Sequence, residues 1–442
     1  MPILMERFRI VATILWVSLQ IFWLYLDQLI RDGDEEGHVG AAELVKEQIE
    51  NNGWISFITT TWWQDLGEYP PLYASYLGGW WNLFANQPED LMFRIAGIPL
   101  LLCAAWATSE ISRIRGGSYQ IAFALTLSLP LAVGLSRHSM IENLILPTTA
   151  LAAWSLYTNT KTYVKGIIFG LFVALGLLSK QTFLIAGLGL IFLVRDFKIL
   201  YSCIPVILLV SLGWYIPQFG DQQQYIQQSI QANSLSSILV HLFSPIVYFA
   251  WDVIGPVIFS LFLLKKPWTN HQKPYFWWFL LCIFLCILIP KKYPRLMIGI
   301  CIPIIIMVTE RRGKWDHPIM IGAFSWMLFG SFSSIPNNPI QSYVDSERCP
   351  QVWLRPPFSY DLGLRRVKEY VQSQSKERNI YIQNPPKIPC SLQTTHDFPY
   401  HLEIYLRRHG QEHPIVLEKP SSNEIHMYWS GPIANPQSLN IQ

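Results

Sequence analysis

The sequence is short of charge. Asp, Glu, Lys and Arg make up 14% of its 442 residues, against about 25% in soluble domains, so the chain cannot clothe itself as a water-soluble protein of this size does. That shortage excludes a cytosolic enzyme, a disordered chain and a nucleic-acid binder. No sign of charge dominates either: the formal net charge is +3, and the basic residues stand in short scattered clusters that offer a polyanion no continuous face. The seven cysteines lack metal-ligand spacing, and Cys282 and Cys286 fall in an apolar run and read as small core residues. His38 and His138 have no close His or Cys companion, so no metal site is read there. The N-terminus carries Arg7 and Arg9 before a long apolar run with no small-residue cleavage site, and reads as a retained first span.

What the chain has in abundance is apolar and aromatic: 51% hydrophobic residues, with 18 Trp, 20 Tyr and 24 Phe, a composition that excludes disorder and suits membrane interfaces. Apolar stretches of about 20 residues or somewhat fewer run approximately over 10–29, 91–111, 119–135, 140–157, 164–179, 181–194, 198–217, 243–264, 275–290, 296–309 and 317–334, eleven spans in all. With the N-terminus inside, the inner loops hold Arg113 and Arg115, Lys161 and Lys165, Arg195 and Lys198, Lys265, Lys266 and Lys273, and Arg311, Arg312 and Lys314, a consistent positive-inside pattern. The odd number of spans then puts the C-terminus outside.

Two regions face the outer side. The first is the loop over 31–89, too long for a connector. Its Val39, Ala42, Val45 and Ile49 stand at helical spacing, as in a helix lying in the interface. A second helix starts at Pro70 and Pro71 and carries Trp80, Trp81 and Phe84 into the headgroup zone. The second region is the tail over 335–442, which explains a mean hydropathy of only +0.25. Leu362, Leu364, Val367, Tyr370 and Val371 fit an amphipathic helix, Asn379 to Ile382 a strand, His401 to Arg408 a helix and Pro414 to Leu417 a strand, which together read as a small α/β domain. Cys349 and Cys390 lie in it, either as a disulfide or as free thiols.

Charge in or beside a span is functional by default when no inner loop explains it. The outer-side candidates are Asp32, Asp34, Glu35 and Glu36, then Arg137 and Glu142, then Lys180, then Lys291, Lys292 and Arg295. The acidic cluster reads either as a solvated helix cap or as the base that an inverting transfer to a hydroxyl or amine requires. Lys180 reads equally as a lysine snorkelling to the interface or as a phosphate contact. Glu142, at the head of a span, would cost several kcal/mol if buried unpaired, and Arg137 is a candidate partner. In Lys291-Lys292-Tyr293-Pro294-Arg295, which breaks the positive-inside rule, the proline fixes the backbone and aims Arg295, favouring phosphate recognition over anionic headgroups.

In order along the chain stand Asp34-Glu35 with His38 three positions on, Tyr69-Pro70-Pro71-Leu72-Tyr73, Arg137 to Glu142, Gly176-Leu177-Leu178-Ser179-Lys180, and Lys292-Tyr293-Pro294-Arg295 before a span with Pro303. This ordered set, over residues 1 to 310, resembles the GT-C glycosyltransferases, in particular the lipid-phosphate-dependent group of protein O-mannosyltransferases and the aminoarabinose transferase of lipid A. The resemblance implies an all-α polytopic membrane protein with a GT-C-like catalytic domain over 1–334 of about eleven transmembrane helices, interfacial helices in the first outer loop, and a C-terminal α/β outer domain. It implies an integral enzyme of a bacterial plasma membrane that moves a hexosyl or pentosyl sugar from a polyprenyl-phosphate donor to a protein, lipid or glycan acceptor, working on the outer face with inversion. Asp34 would be the base with Glu35 beside it and Glu142 in support, while Lys180, Lys291, Lys292, Arg295, Arg137 and Tyr293 would serve the donor phosphate.

The chain departs from that pattern where many relatives have Lys before the Pro-Pro pair, since it has Glu68 and Tyr69 there, and where relatives place Asp, since it has the longer Glu142. Tyr293 also stands ahead of Arg295 rather than after an arginine. Fixed cations can stabilise a leaving phosphate, so no metal is required, although a divalent ion on Asp34 would be compatible. A transporter or flippase of a lipid-linked or anionic solute is the alternative; such proteins show related halves and charges deep in the bundle, whereas this chain has no evident internal repeat and its charges sit at one end.

Overall fold

The computed structural model describes residues 2–27, 33–61, 69–84, 89–218, 238–264, 271–289, 294–310, 316–333, 354–357, 380–383, 415–416, 425–430 and 438–441. Its helices are α1 (Pro2–Leu26), α2 (Gly33–Ser56), α3 (Leu72–Leu83), α4 (Glu89–Ile95), α5 (Gly97–Ile114), α6 (Tyr119–Thr126), α7 (Pro130–Ser136), α8 (Ile145–Ser155), α9 (Thr162–Ser179), α10 (Phe183–Gly189), α11 (Phe197–Tyr215), α12 (Ile238–Tyr248), α13 (Gly255–Leu264), α14 (Lys273–Leu288), α15 (Cys301–Thr309) and α16 (Asp316–Phe332). Four stretches are long and apolar enough to cross a membrane: Glu6–Leu26, Leu91–Ile114, Thr162–Ser179 and Phe197–Tyr215. Helices α6 and α7 form a further pair bent by 59°, with Pro130 opening α7, where its missing N–H is not needed. The other segments counted as spans in the sequence are shorter apolar helices, among them Phe183–Leu193, Leu242–Val253, Lys273–Leu288 and Pro294–Thr309.

The spans differ in how they divide their faces. α1 turns Ile10, Ile14, Leu15 and Phe22 outward and buries Trp16, Gln20, Trp23, Leu24 and Asp27, a stripe at helical spacing. α15 is buried on every side, from Cys301 to Thr309, which makes it the centre of the bundle. α9 and α11 pack through small residues: a Cβ on Gly166 would meet the Ser202 Oγ at 2.0 Å, and one on Gly170 the Cys203 carbonyl at 2.7 Å. With lipid outside, close approach of this kind replaces hydrophobic exclusion as the source of helix association. Cys282 and Cys286 are core residues as expected, and the Cys282 thiol donates to the Ile185 carbonyl at 2.9 Å.

One expectation about the first outer loop changes. The stripe Val39, Ala42, Val45 and Ile49 does lie on a helix, but it faces protein rather than lipid. Val39 and Ala42 pack with Tyr73 and Leu77 of α3, and Val45 and Ile49 with Phe57 and Ala74. The reason is that α3 offers an apolar surface close by; Trp80 donates to the Met92 carbonyl at 3.0 Å and Trp81 meets Phe93 edge-on, so α2, α3 and α4 bury one another's apolar faces.

At the end of the bundle that carries the inner-loop cations, Glu110 binds Arg9 and Arg113, and Arg115 donates through Nε to Glu310 at 2.7 Å beneath the Tyr157 and Tyr275 rings. In the tail, strands β1 (Ile380–Gln383), β2 (Ile415–Val416), β3 (Ile425–Ser430) and β4 (Ser438–Ile441) form a sheet in the order β2-β1-β3-β4. β1 is parallel to β2 and to β3, and β4 is antiparallel to β3. β1 and β2 fall where the sequence reading expects strands. The helices expected over 362–371 and 401–408, and Cys349 and Cys390, lie outside the described residues.

Candidate active site

The site grows from one short stretch of chain. α7 ends at Ser136, the backbone turns through Arg137 to Met140, and a single 3-10 turn, Ile141–Leu144, leads into α8. The turn is braced from within, because the Asn143 amide and the Met140 N–H both donate to the His138 carbonyl at 2.8 Å. Three carboxylates are organised around this stretch: Glu142 lies on it, Glu35 is held by it, and Asp27 is joined to it through Arg94.

The first is Glu142, with 0% of its surface exposed. The Lys180 ammonium donates to its Oε1 at 2.7 Å, and the Arg295 Nε stands 3.4 Å from the same oxygen. Lys180 caps the C-terminal end of α9, where the helix dipole favours a cation. Its ammonium also lies 5.0 Å from the centre of the Tyr69 ring, an aromatic face that attracts a cation. Pro294 is buried and opens the 3-10 segment Pro294–Ile300, which aims Arg295 inward.

The second is Glu35, on the first turns of α2. It accepts the Ser139 backbone N–H at 2.7 Å, and the His138 Nδ1 stands 3.2 Å away. Burial pushes the Glu35 carboxyl up, but the His138 imidazole, the Arg94 guanidinium and the Ser139 N–H together bring it below the ordinary carboxylate value. Burial pulls the His138 imidazole down, so a neutral ring donating its Nδ1–H to an ionised Glu35 satisfies both groups. His38, one turn along α2, lies 5.3 Å from the Tyr69 ring and 5.5 Å from the Tyr73 ring. Tyr69 thus touches both the helix of the acidic pair and the lysine bound to Glu142.

The third is Asp27, just past the C-terminal end of α1. Arg355 binds it through two nitrogens, Nη1 to Oδ1 at 2.8 Å and Nη2 to Oδ2 at 3.1 Å, and Arg94 also binds Oδ2. Arg94 donates through Nε to the Arg137 carbonyl at 3.3 Å. Arg137 itself donates to Gln20 Oε1 at 2.7 Å and to Ser331 Oγ at 2.9 Å, and stacks 4.3 Å from the centre of the Trp23 ring.

The structure therefore joins Glu142 to Lys180 and Arg295, and sets Glu35 on the same turn. It separates Arg137 from Glu142: the arginine expected as that carboxylate's partner is taken by Gln20, Ser331 and Trp23, because it leaves the turn on the side of α1. The side chains of Asp34 and Glu36, and all of Asp32, Glu68, Lys291, Lys292 and Tyr293, lie outside the described residues. Sequence reasoning missed Gln20, Asp27, Arg94 and Arg355. The first three stand within or at the edge of apolar spans, and that cost was a signal open to the same argument that picked out Glu142. Among the described residues, no three His, Cys, Asp or Glu side chains gather as a metal site would require.

No family model matches the chain, and no curated protein matches it by sequence. Solved structures do match in fold. The apo crystal structure of ArnT from Cupriavidus metallidurans aligns over 92% of this chain and 85% of its own, with a TM-score of 0.55 and 14% identity. The crystal structure of the same protein bound to undecaprenyl phosphate aligns over 94% and 92%, with a TM-score of 0.52 and 14% identity. The chain thus shares its overall fold with these two structures.

Proposed function

We propose that this chain is an inverting glycosyltransferase that takes a sugar from a polyprenyl-phosphate donor and passes it to an acceptor on the outer face of a bacterial plasma membrane. The observation that carries the reading is the Arg137–Glu142 turn, which meets a buried, ionised Glu35 on one side and the cations Lys180 and Arg295 on the other. A neighbour in fold has been crystallised with undecaprenyl phosphate, which supports a polyprenyl-linked partner for this chain. In this reading the chain crosses the membrane eleven times with its N-terminus inside, 1–334 form the catalytic domain and 335–442 an outer α/β domain.

The chemistry follows from what the transfer must do. A hydroxyl or amine of the acceptor attacks the anomeric carbon from the face opposite the phosphate, its proton passes to a carboxylate, and the carbon–oxygen bond to phosphate breaks, releasing polyprenyl phosphate. Asp34 is the base, with Glu35 beside it held ionised and immobile. Lys180 and Arg295, with Lys291, Lys292 and Tyr293 upstream, meet the charge that grows on the leaving phosphate. Protein cations stand in this scheme where a metal otherwise would; a divalent ion would have to be held by Asp34.

The test is to incubate purified protein with a panel of polyprenyl-phosphate sugars and to follow release of the lipid phosphate. The wild-type chain is expected to consume at least one donor, and Asp34→Asn to fold and turn over none. Full turnover by that variant would sink the assignment of the base.

A further inference from the structure

We propose that Arg355 is a positioning residue: the segment 354–357, from beyond the last helix, reaches back over the C-terminal end of α1 and fixes the turn that holds the Glu35 carboxylate for transfer. This rests on the function proposed above. A continuous line of contacts carries it. Arg355 grips both oxygens of Asp27; Asp27 binds Arg94 through its side chain and also accepts the Arg94 Nη1 at its own carbonyl at 3.2 Å; Arg94 donates to the Arg137 carbonyl. One and two residues on, His138 and the Ser139 N–H hold Glu35.

A second line runs through Trp23. Its ring has the Arg137 and Arg355 guanidiniums at 4.3 and 5.0 Å and Arg94 at 5.9 Å. Its indole N–H is shared between the Ser331 carbonyl at 2.8 Å and the Arg355 carbonyl at 3.1 Å, so the segment is tied to α1 by backbone as well as by side chain. Three guanidiniums around one ring repel one another, and Asp27 binds two of them, Arg94 and Arg355. The forked geometry on Asp27 belongs to arginine, since an ammonium cannot reach both oxygens in plane. Arg355 is also nearly fully buried, so its loss opens a void against Arg137 and lets the turn drift.

The experiment compares Arg355→Ala and Arg355→Lys in the full-length protein, with a donor that the wild type consumes. Misplacement of a reacting group by about 1 Å costs about a hundredfold, so Arg355→Ala is expected to lose about that much in kcat while donor KM stays within about twofold. Arg355→Lys, which keeps the charge and the folded yield, should recover only part of it. The Arg355→Ala/Asp27→Ala double variant should lose no more turnover than the worse single variant, as members of one linkage do. Hydrogen exchange gives a readout independent of turnover: amides over 137–143 should exchange faster in Arg355→Ala, while those over 301–309 do not change. Wild-type kcat in Arg355→Ala, full kcat in Arg355→Lys, or a loss that falls on donor KM would each overturn the proposal. Unchanged exchange at 137–143 would do the same. If the wild type consumes no donor but exchange at 137–143 rises in Arg355→Ala, the strap stands and the enzymatic reading falls.

Discussion

Asp27 and Glu142 are both buried carboxylates ringed by cations, yet they are satisfied to different degrees. Both oxygens of Asp27 are taken, Oδ1 by Arg355 and Oδ2 by Arg94 and Arg355. Glu142 draws Lys180 and Arg295 to a single oxygen, and its Oε2 has no hydrogen-bond partner among the described residues. A saturated carboxylate is a fastening, and its cations have nothing left to give. A half-saturated one gathers cations that a second anion could share, which is what a site for a leaving phosphate needs. A buried ion pair is weak evidence of stability by itself; how completely its atoms are satisfied separates the scaffold from the site.

The largest effect should come from breaking the fastening. Asp27→Ala leaves Arg94 and Arg355 buried without the carboxylate they share and is expected to lower stability by about 3–5 kcal/mol, read by thermal unfolding in detergent. Arg113→Ala, which removes a side chain 51% exposed at the other end of the bundle, should cost at most about 1 kcal/mol; comparable losses would show that satisfaction does not rank these pairs.

The next effects test the open carboxylate. Arg295→Ala removes a cation proposed to meet the donor phosphate and should raise donor KM about tenfold or more. Glu142→Gln keeps the shape but removes the charge that competes for Lys180 and Arg295, so binding of polyprenyl phosphate should tighten severalfold, read by titration calorimetry. Unchanged or weaker binding would place Glu142 with Asp27 as scaffold.

The smallest effect is on acid stability. The folded Glu35 carboxyl lies below the ordinary carboxylate value of 4.5, so its ionised form stabilises the fold above about pH 4.5, and that contribution fades as pH falls through the lower folded value. Glu35→Gln should be less stable than wild type near neutrality, with the difference closing as pH drops below 4.5 in thermal melts. A difference that does not change with pH would mean that Glu35 is not held ionised.

Much of this could be read from the chain itself, and what could not has a physical cause. Glu142, Lys180 and Arg295 stood out because charge beside a span is expensive, and that cost is local. Their pairing was not local: Glu142 and Lys180 are 38 positions apart, and only the packing of α8 against α9 brings them together. Arg137 seemed the natural partner because it is five residues away, but the turn sends it to Gln20 and Trp23. The stripe on α2 was visible as helix, while the surface it meets was not, since lipid and α3 are equally apolar. Asp27 and Arg94 were visible as charges in spans, whereas Arg355 lies outside every apolar span, in Trp353-Leu354-Arg355-Pro356-Pro357, so the cost of charge in a span did not single it out.

Helix α9, 18 residues from Thr162 to Ser179, has a basic foot at Lys161 and Lys165, on the side read as cytoplasmic, and a basic head at Lys180. At 1.5 Å per residue this rod is about 27 Å long, close to the hydrocarbon thickness it must cross. Its head is pinned to Glu142, its foot carries ammonium groups of the kind that seek headgroups, and the glycine stripe against α11 keeps it from sliding. The rod is therefore a gauge. In a bilayer of longer acyl chains the foot and the head cannot both keep their level, and the depth at which Lys180 waits is set by the lipid as much as by the protein.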